Sequence, residues 1–225
     1  MAKIKNNVEN GESATSVAEV MYKAMETMNC EEEAAAGQPE SIYQVNNHIY
    51  FYKEITAESA ALFNKLLTEM YYDLVGSMLS TGLTNPIVEI HINSPGGTLA
   101  GGLSMVRKIN EIKKGFGTVK VPIKVNSHIE GESCSAATLV YCVGSYRTMP
   151  EYSYMLIHDV ISGVAGPRGE IVDHVKNLEL FNKIIKEIYK ANSKLTDEIL
   201  DDVMKNDLYF DAATCLKYGL VDEII

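Results

Sequence analysis

The chain has 225 residues, 46% of them hydrophobic and 22% charged, which gives room for one well-buried core with a modest extension and excludes two full enzymatic domains. Acidic residues outnumber basic ones 30 to 20, for a formal net charge of −10, and no stretch gathers lysine and arginine into a stripe, so nucleic acid is not expected as a partner. No window nears the roughly 18 apolar residues of a membrane span. The opening MAKIKNNVENGESATS carries charge and amides where a signal peptide has an apolar run, so a cytoplasmic protein without membrane attachment is expected.

Residues 1 to 40 differ from the rest. A short helix is predicted around Ser16 to Met28, followed by Glu31 to Glu33, three alanines and Gly37-Gln38-Pro39, which reads as an acidic, solvated extension with a boundary near Pro39. From Ile42 onward, apolar runs with strand character alternate with helical patterns. A strand is predicted at His48 to Tyr52, a helix capped by Thr56 and running to about Leu79, and a second strand at Ile87 to Asn93. A helix follows at Leu99 to Lys113, with apolar residues at Leu99, Leu103, Val106 and Ile109, then a strand at Val121 to Asn126 and a short helix starting near Ser135. The remainder reads as a strand at Tyr154 to Ile157, a long helix from Glu170 to Ala191, a helix capped by Thr196, and a final helix, glycine and strand over Ala212 to Ile225. Such alternation predicts an α/β fold with a parallel sheet wrapped by helices.

Three segments carry candidate chemistry. Asn93-Ser94-Pro95-Gly96-Gly97 stops a strand in a sharp turn, with Pro95 fixing one φ angle and two glycines permitting close backbone approach; taken alone it is most simply a strand-to-helix turn. Gly131-Glu132-Ser133-Cys134-Ser135-Ala136-Ala137 lies between a strand and a helix, where a seryl oxygen would meet the positive end of a helix, although serines there commonly serve as N-caps. It is not the G-x-S-x-G elbow, because Ala137 occupies the last position. Tyr154-Met155-Leu156-Ile157-His158 is an apolar strand ending in a histidine, which by itself would be a structural residue.

In their order, with Asn206-Asp207 ahead of Ala212-Ala213 and Tyr218-Gly219-Leu220-Val221-Asp222, these segments resemble the proteolytic subunit of the Clp protease from about Ile42 to the C-terminus. The resemblance implies the Clp-protease/crotonase-like fold with a protruding strand-helix handle. It implies a serine endopeptidase with Ser135 as nucleophile, His158 as general base and Asp207 orienting the histidine, and with the backbone N–H groups of Gly97 and Ala136 as the oxyanion hole. It also implies a homo-oligomer, a heptameric ring either single or stacked as a tetradecamer, that encloses protein or peptide substrates delivered by an AAA+ ATPase unfoldase. The sequence departs from the family in Asp159-Val160 after the histidine, where Gln-Pro is usual, and in Lys205-Asn206, where Asp-Arg is usual.

Competing readings are a catalytically silent structural subunit, a lysine-based peptidase of the signal-peptide-digesting kind, and an acyl-CoA enzyme of the crotonase fold; the Ser-His-Asp set argues against all three. Cys134 cannot face His158 together with its neighbour Ser135 and is expected to be packed. Cys30, Cys134, Cys142 and Cys215 show no C-x-x-C spacing and read as small apolar residues. His48, His91, His128 and His174 show no ligand spacing, and no phosphate-binding Gly-x-x-x-x-Gly-Lys loop is present, so no metal or other cofactor is assigned.

Overall fold

The computed structural model describes residues 41–118 and 120–225, which fall in one compact unit, Ser41–Ile225. The helix expected at Ser16 to Met28, the acidic extension and Cys30 lie outside the described residues.

A hairpin of β1 (Ile42–Val45) and β2 (His48–Phe51) opens the unit. Helix α1 (Ala57–Thr81) begins where expected: Thr56 Oγ1 accepts the Ser59 N–H while Ser59 Oγ accepts the Thr56 N–H, a reciprocal cap that satisfies two otherwise orphaned donors. Its buried residues Ala60, Phe63, Leu67, Met70, Tyr71 and Val75 recur at three and four positions, as one helical face requires. The strand β3 (Ile87–Ser94), the helix α2 (Leu99–Lys114) and the strand β4 (Lys124–Cys134) follow, and α1 packs on α2.

The second half comprises α3 (Ala136–Cys142), β5 (Arg147–Met149), β6 (Tyr154–Leu156), α4 (Arg168–Asn192), α5 (Asp197–Val203), β7 (Tyr209–Asp211), α6 (Ala212–Lys217) and β8 (Glu223–Ile224). The sheet order is β1-β2-β3-β4-β5-β8. β4 forks, pairing with β5 near Ser127 and His128 and with β6 at Glu132 to Cys134. The pairs from β2 through β4 to β5, β6 and β8 are parallel, as the βα alternation predicts, whereas β1 with β2 and β6 with β7 are antiparallel.

One strand differs from its predicted range. The strand expected at Val121 to Asn126 starts at Lys124 and runs on through Gly131 to Cys134. Gly131 permits this, because a Cβ there would come within 2.9 Å of Asn93 Oδ1, which instead accepts the Glu132 N–H as the register shifts.

On β3 and β4 the inward residues Val88, Ile90, Ile92, Val125 and Ile129 are core. The outward ones bring together histidines that are scattered in sequence. His48 Nδ1 lies 2.8 Å from His91 Nε2, the His91 ring stacks on those of Tyr50 and His128, and His91 Nδ1 meets Glu130 at 2.5 Å. His128 bridges Glu89 and Thr148. Among the described residues no group of three or more such side chains is arranged to hold a metal ion.

Burial holds the His91 imidazole below its ordinary 6.5, with the Glu130 hydrogen bond offsetting part of the effect. The unfolded chain therefore binds a proton here at higher pH than the folded chain does, and stability is lost as pH falls through about 6.5. In urea titrations at about pH 7.5 and 5.5, spanning that value, the midpoint of His91→Asn is expected to fall less than that of the native protein. An equal fall in both would exclude His91 as the source.

Candidate active site

Ser135 joins β4 to α3 with φ 53° and ψ −127°, a backbone state that costs a non-glycine residue about 1–3 kcal/mol and persists only where its surroundings enforce it. They do so here. The Ser135 N–H donates to the Leu156 carbonyl at 2.8 Å, and the Ser135 carbonyl accepts from the N–H and Oγ1 of Thr138 at 3.0 and 2.5 Å. Thr138 is braced in turn by the buried Tyr189 hydroxyl of α4. Although Ser135 sits at the N-cap position, its side chain makes no capping hydrogen bond, which leaves a half-buried hydroxyl uncommitted.

The turn after β3 packs against this serine. Gly96 (φ 91°) leaves space that a Cβ would close, since it would lie 2.4 Å from the Cys134 carbonyl oxygen and 2.7 Å from Ser135 Cβ. Gly97 (φ 140°) forms a parallel bridge with Ile55 in which Ile55 takes both bonds, its N–H to the Gly96 carbonyl at 2.6 Å and its carbonyl from the Thr98 N–H at 2.8 Å. In such a bridge the N–H of Gly97 points away from Ile55. It donates to no acceptor among the described residues, and neither does the N–H of Ala136 at the start of α3.

His158 follows β6, and its Nδ1 lies 2.6 Å from the Asp159 carbonyl oxygen. A carbonyl can only accept, so Nδ1 carries a proton, and in the neutral ring the lone pair is on Nε2. The segment is pinned on both sides, by the Asp159 N–H on the Met204 carbonyl at 2.9 Å and the Val160 N–H on Asn182 Oδ1 at 3.3 Å. Ser135, His158, Gly97 and Ala136 line one cavity of about 500 Å³. They leave the C-terminal ends of β3, β4 and β6, three neighbouring parallel strands, which is where open α/β sheets place ligands.

Asp207 is not in this cavity. It is exposed, in the turn before β7, and makes no hydrogen bond to His158. The antiparallel pairing of β6 with β7 runs from Tyr154 opposite Asp211 to Leu156 opposite Tyr209, and continuing that register by two residues sets His158 opposite Asp207.

Cys134 is 5% exposed, and burial together with the neighbouring Glu132 charge pushes its thiol up to about 12, which keeps it protonated and poorly nucleophilic. Cys142 and Cys215 are likewise buried and unbonded. Sequence reasoning missed Ile55, Thr138 and Asn182, the residues that brace the turn, the serine and the histidine segment. Thr138, three residues after the serine, is the one with a local signal.

A mostly parallel sheet wrapped by helices, with a long helix leaving the body after β6, is the architecture of the ClpP and crotonase-like folds. The family model for Clp protease matches residues 43–225, and the chain belongs to that family of peptidases. Among solved structures, a ClpP1 mutant from Listeria monocytogenes is similar at a TM-score of 0.64 with 21% identity, over 80% of this chain and 91% of that one; this likeness is one of fold. No helix among the described residues is long and apolar enough to cross a membrane.

Proposed function

We propose that the protein is a serine endopeptidase that hydrolyses peptide bonds of unfolded proteins or peptides. The observation that carries this reading is the strained, uncapped Ser135 in one cavity with the His158 imidazole and the undonated N–H groups of Gly97 and Ala136. Oγ of Ser135 attacks the scissile carbonyl while His158 Nε2 takes its proton and then passes it to the leaving amine. Gly97 and Ala136 hydrogen-bond the oxyanion, and water releases the acyl group by the reverse sequence. Asp207 takes its orienting role when the β6–β7 pairing extends by its two further residues, replacing the Asp159 carbonyl on Nδ1.

The reading includes a homo-oligomeric chamber, a heptameric ring single or stacked, fed by an AAA+ ATPase in the cytoplasm. Support comes from α4. Its first four turns expose Ile171, Val172, Val175, Leu180 and Phe181, while only Ile185 and Tyr189 are buried, so much apolar surface lacks cover among the described residues.

One measurement tests chemistry and assembly together. Native mass spectrometry after treatment with a fluorophosphonate is expected to show a seven- or fourteen-subunit species with one adduct per subunit, on Ser135. His158→Ala should abolish labelling and Asp207→Asn should slow it by orders of magnitude. Labelling elsewhere, or unaltered labelling of His158→Ala, would refute the proposed mechanism.

A further inference from the structure

The charge of the cleft is one-sided. Among the residues lining it, the carboxylates are Glu54 and Asp159, and no lysine or arginine accompanies them. Both are exposed, and neither takes part in an ion pair among the described residues. Lys53, next to Glu54, does not line the cleft, and its charge acts on Glu58.

The backbones of the two acids are fixed although their side chains are uncommitted. The Glu54 carbonyl accepts from Ser59 Oγ at 2.8 Å, and the next residue, Ile55, is bridged to Gly97. The Asp159 N–H is held by Met204 and its carbonyl by His158. In the sheet, β4 lies between β3 and β6, so Ser135 stands between the Glu54 side, against the Gly97 turn, and the Asp159 side, beside the histidine. The rest of the lining is largely apolar, with Leu99, Leu139, Ile185 and Tyr189. Two unpaired carboxylates at a concave, partly apolar site focus a negative potential on whatever occupies it.

We propose that this cleft selects cationic peptide segments, taking an apolar side chain against Leu99, Leu139 and Ile185 and favouring lysine or arginine, against glutamate or aspartate, at positions flanking the scissile bond. This rests on the cleft being the peptide site, though not on its being catalytic. The side chains of Glu54 and Asp159 set the preference by direct charge pairing, and acidic neighbours are excluded by repulsion.

The test uses the full chain carrying Ser135→Ala and fluorescein-labelled peptides that share one central leucine, flanked either by lysines or by glutamates, with binding read by fluorescence anisotropy. The lysine peptide is expected to bind about tenfold more tightly at low salt, with the ratio shrinking as salt is raised. Glu54→Gln and Asp159→Asn should each reduce the ratio. Equal affinities, a preference for the glutamate peptide, or a lysine preference that survives both substitutions would overturn the proposal, as would absence of binding. Hydrolysis by the native protein is scored separately. A charge preference in binding without cleavage would refute the peptidase reading alone, and cleavage without a charge preference would refute this inference alone.

Discussion

Ser135→Ala is expected to lower the turnover of fluorogenic peptides by roughly four or more orders of magnitude, because the attacking oxygen is removed while the oxyanion donors remain. Stability should barely change. Ser135 Oγ makes no capping bond, so truncation forfeits none of the roughly 1 kcal/mol that a helix cap supplies. Alanine must also occupy the same φ of 53° and ψ of −127°, so the strain is retained. Ser135→Gly separates strain from chemistry. It should be as inactive as the alanine variant yet more stable than the native protein by about 1 kcal/mol, since glycine enters that region at little cost. Ser133→Ala is the control, for its hydroxyl is fully buried and has no partner among the described residues. Losing an unsatisfied hydroxyl is close to neutral, within about 1 kcal/mol, and activity should persist. Turnover near the native level in Ser135→Ala would refute the nucleophile assignment, and equal stability of the alanine and glycine variants would refute the strain.

Much of this arrangement is legible in the sequence because local rules dominate where the chain turns. Thr56 and Thr196 mark helix starts through their caps, and the inward face of α2 follows from apolar spacing. The positions of His158 and Gly97 after strands are likewise visible, since apolar runs end just ahead of them, whereas the strand before Ser135 is predicted only to Asn126 and continues through a polar stretch to Cys134. What stays hidden depends on pairing. The short strands β5 and β7 have three residues each, too few to show a period, and gain strand form only from neighbours already in place. The meeting of His48, His91 and His128 is set by the register of β2, β3 and β4, which no local spacing encodes. The same holds for Asp207. The resemblance to the Clp protease implies it as the partner of His158, and the β6–β7 register, continued by two residues, would align the two, but closing those last pairs is a tertiary balance that residue types do not fix.

Gly97→Ala should be costly for both stability and activity. A Cβ at this position would stand 2.2 Å from the Ile55 carbonyl oxygen and 2.9 Å from the Ile55 carbonyl carbon and nitrogen, all backbone atoms that cannot rotate aside. The φ of 140° is itself strained for alanine. Relief requires the turn to move away from Ile55, which breaks the 2.6 and 2.8 Å bonds that hold Gly96 and Thr98 and swings the Gly97 N–H away from the cavity. A loss of about 2–4 kcal/mol in unfolding free energy is expected from the clash and the broken bridge. In protein that remains folded, displacing one oxyanion donor should lower kcat by about 10²–10³ while KM changes little, because that hydrogen bond forms fully only as negative charge develops on the oxygen. Gly76→Ala provides the contrast. Gly76 lies within α1 with open space where its Cβ would be, so alanine there should add about 0.5–1 kcal/mol of stability and leave kcat unchanged. Denaturant titration and steady-state kinetics on the two variants decide the point. If Gly97→Ala were folded with native kcat, the Gly97 N–H could not be an oxyanion donor; if its loss lay wholly in KM, the turn would be positioning substrate and not stabilising the transition state.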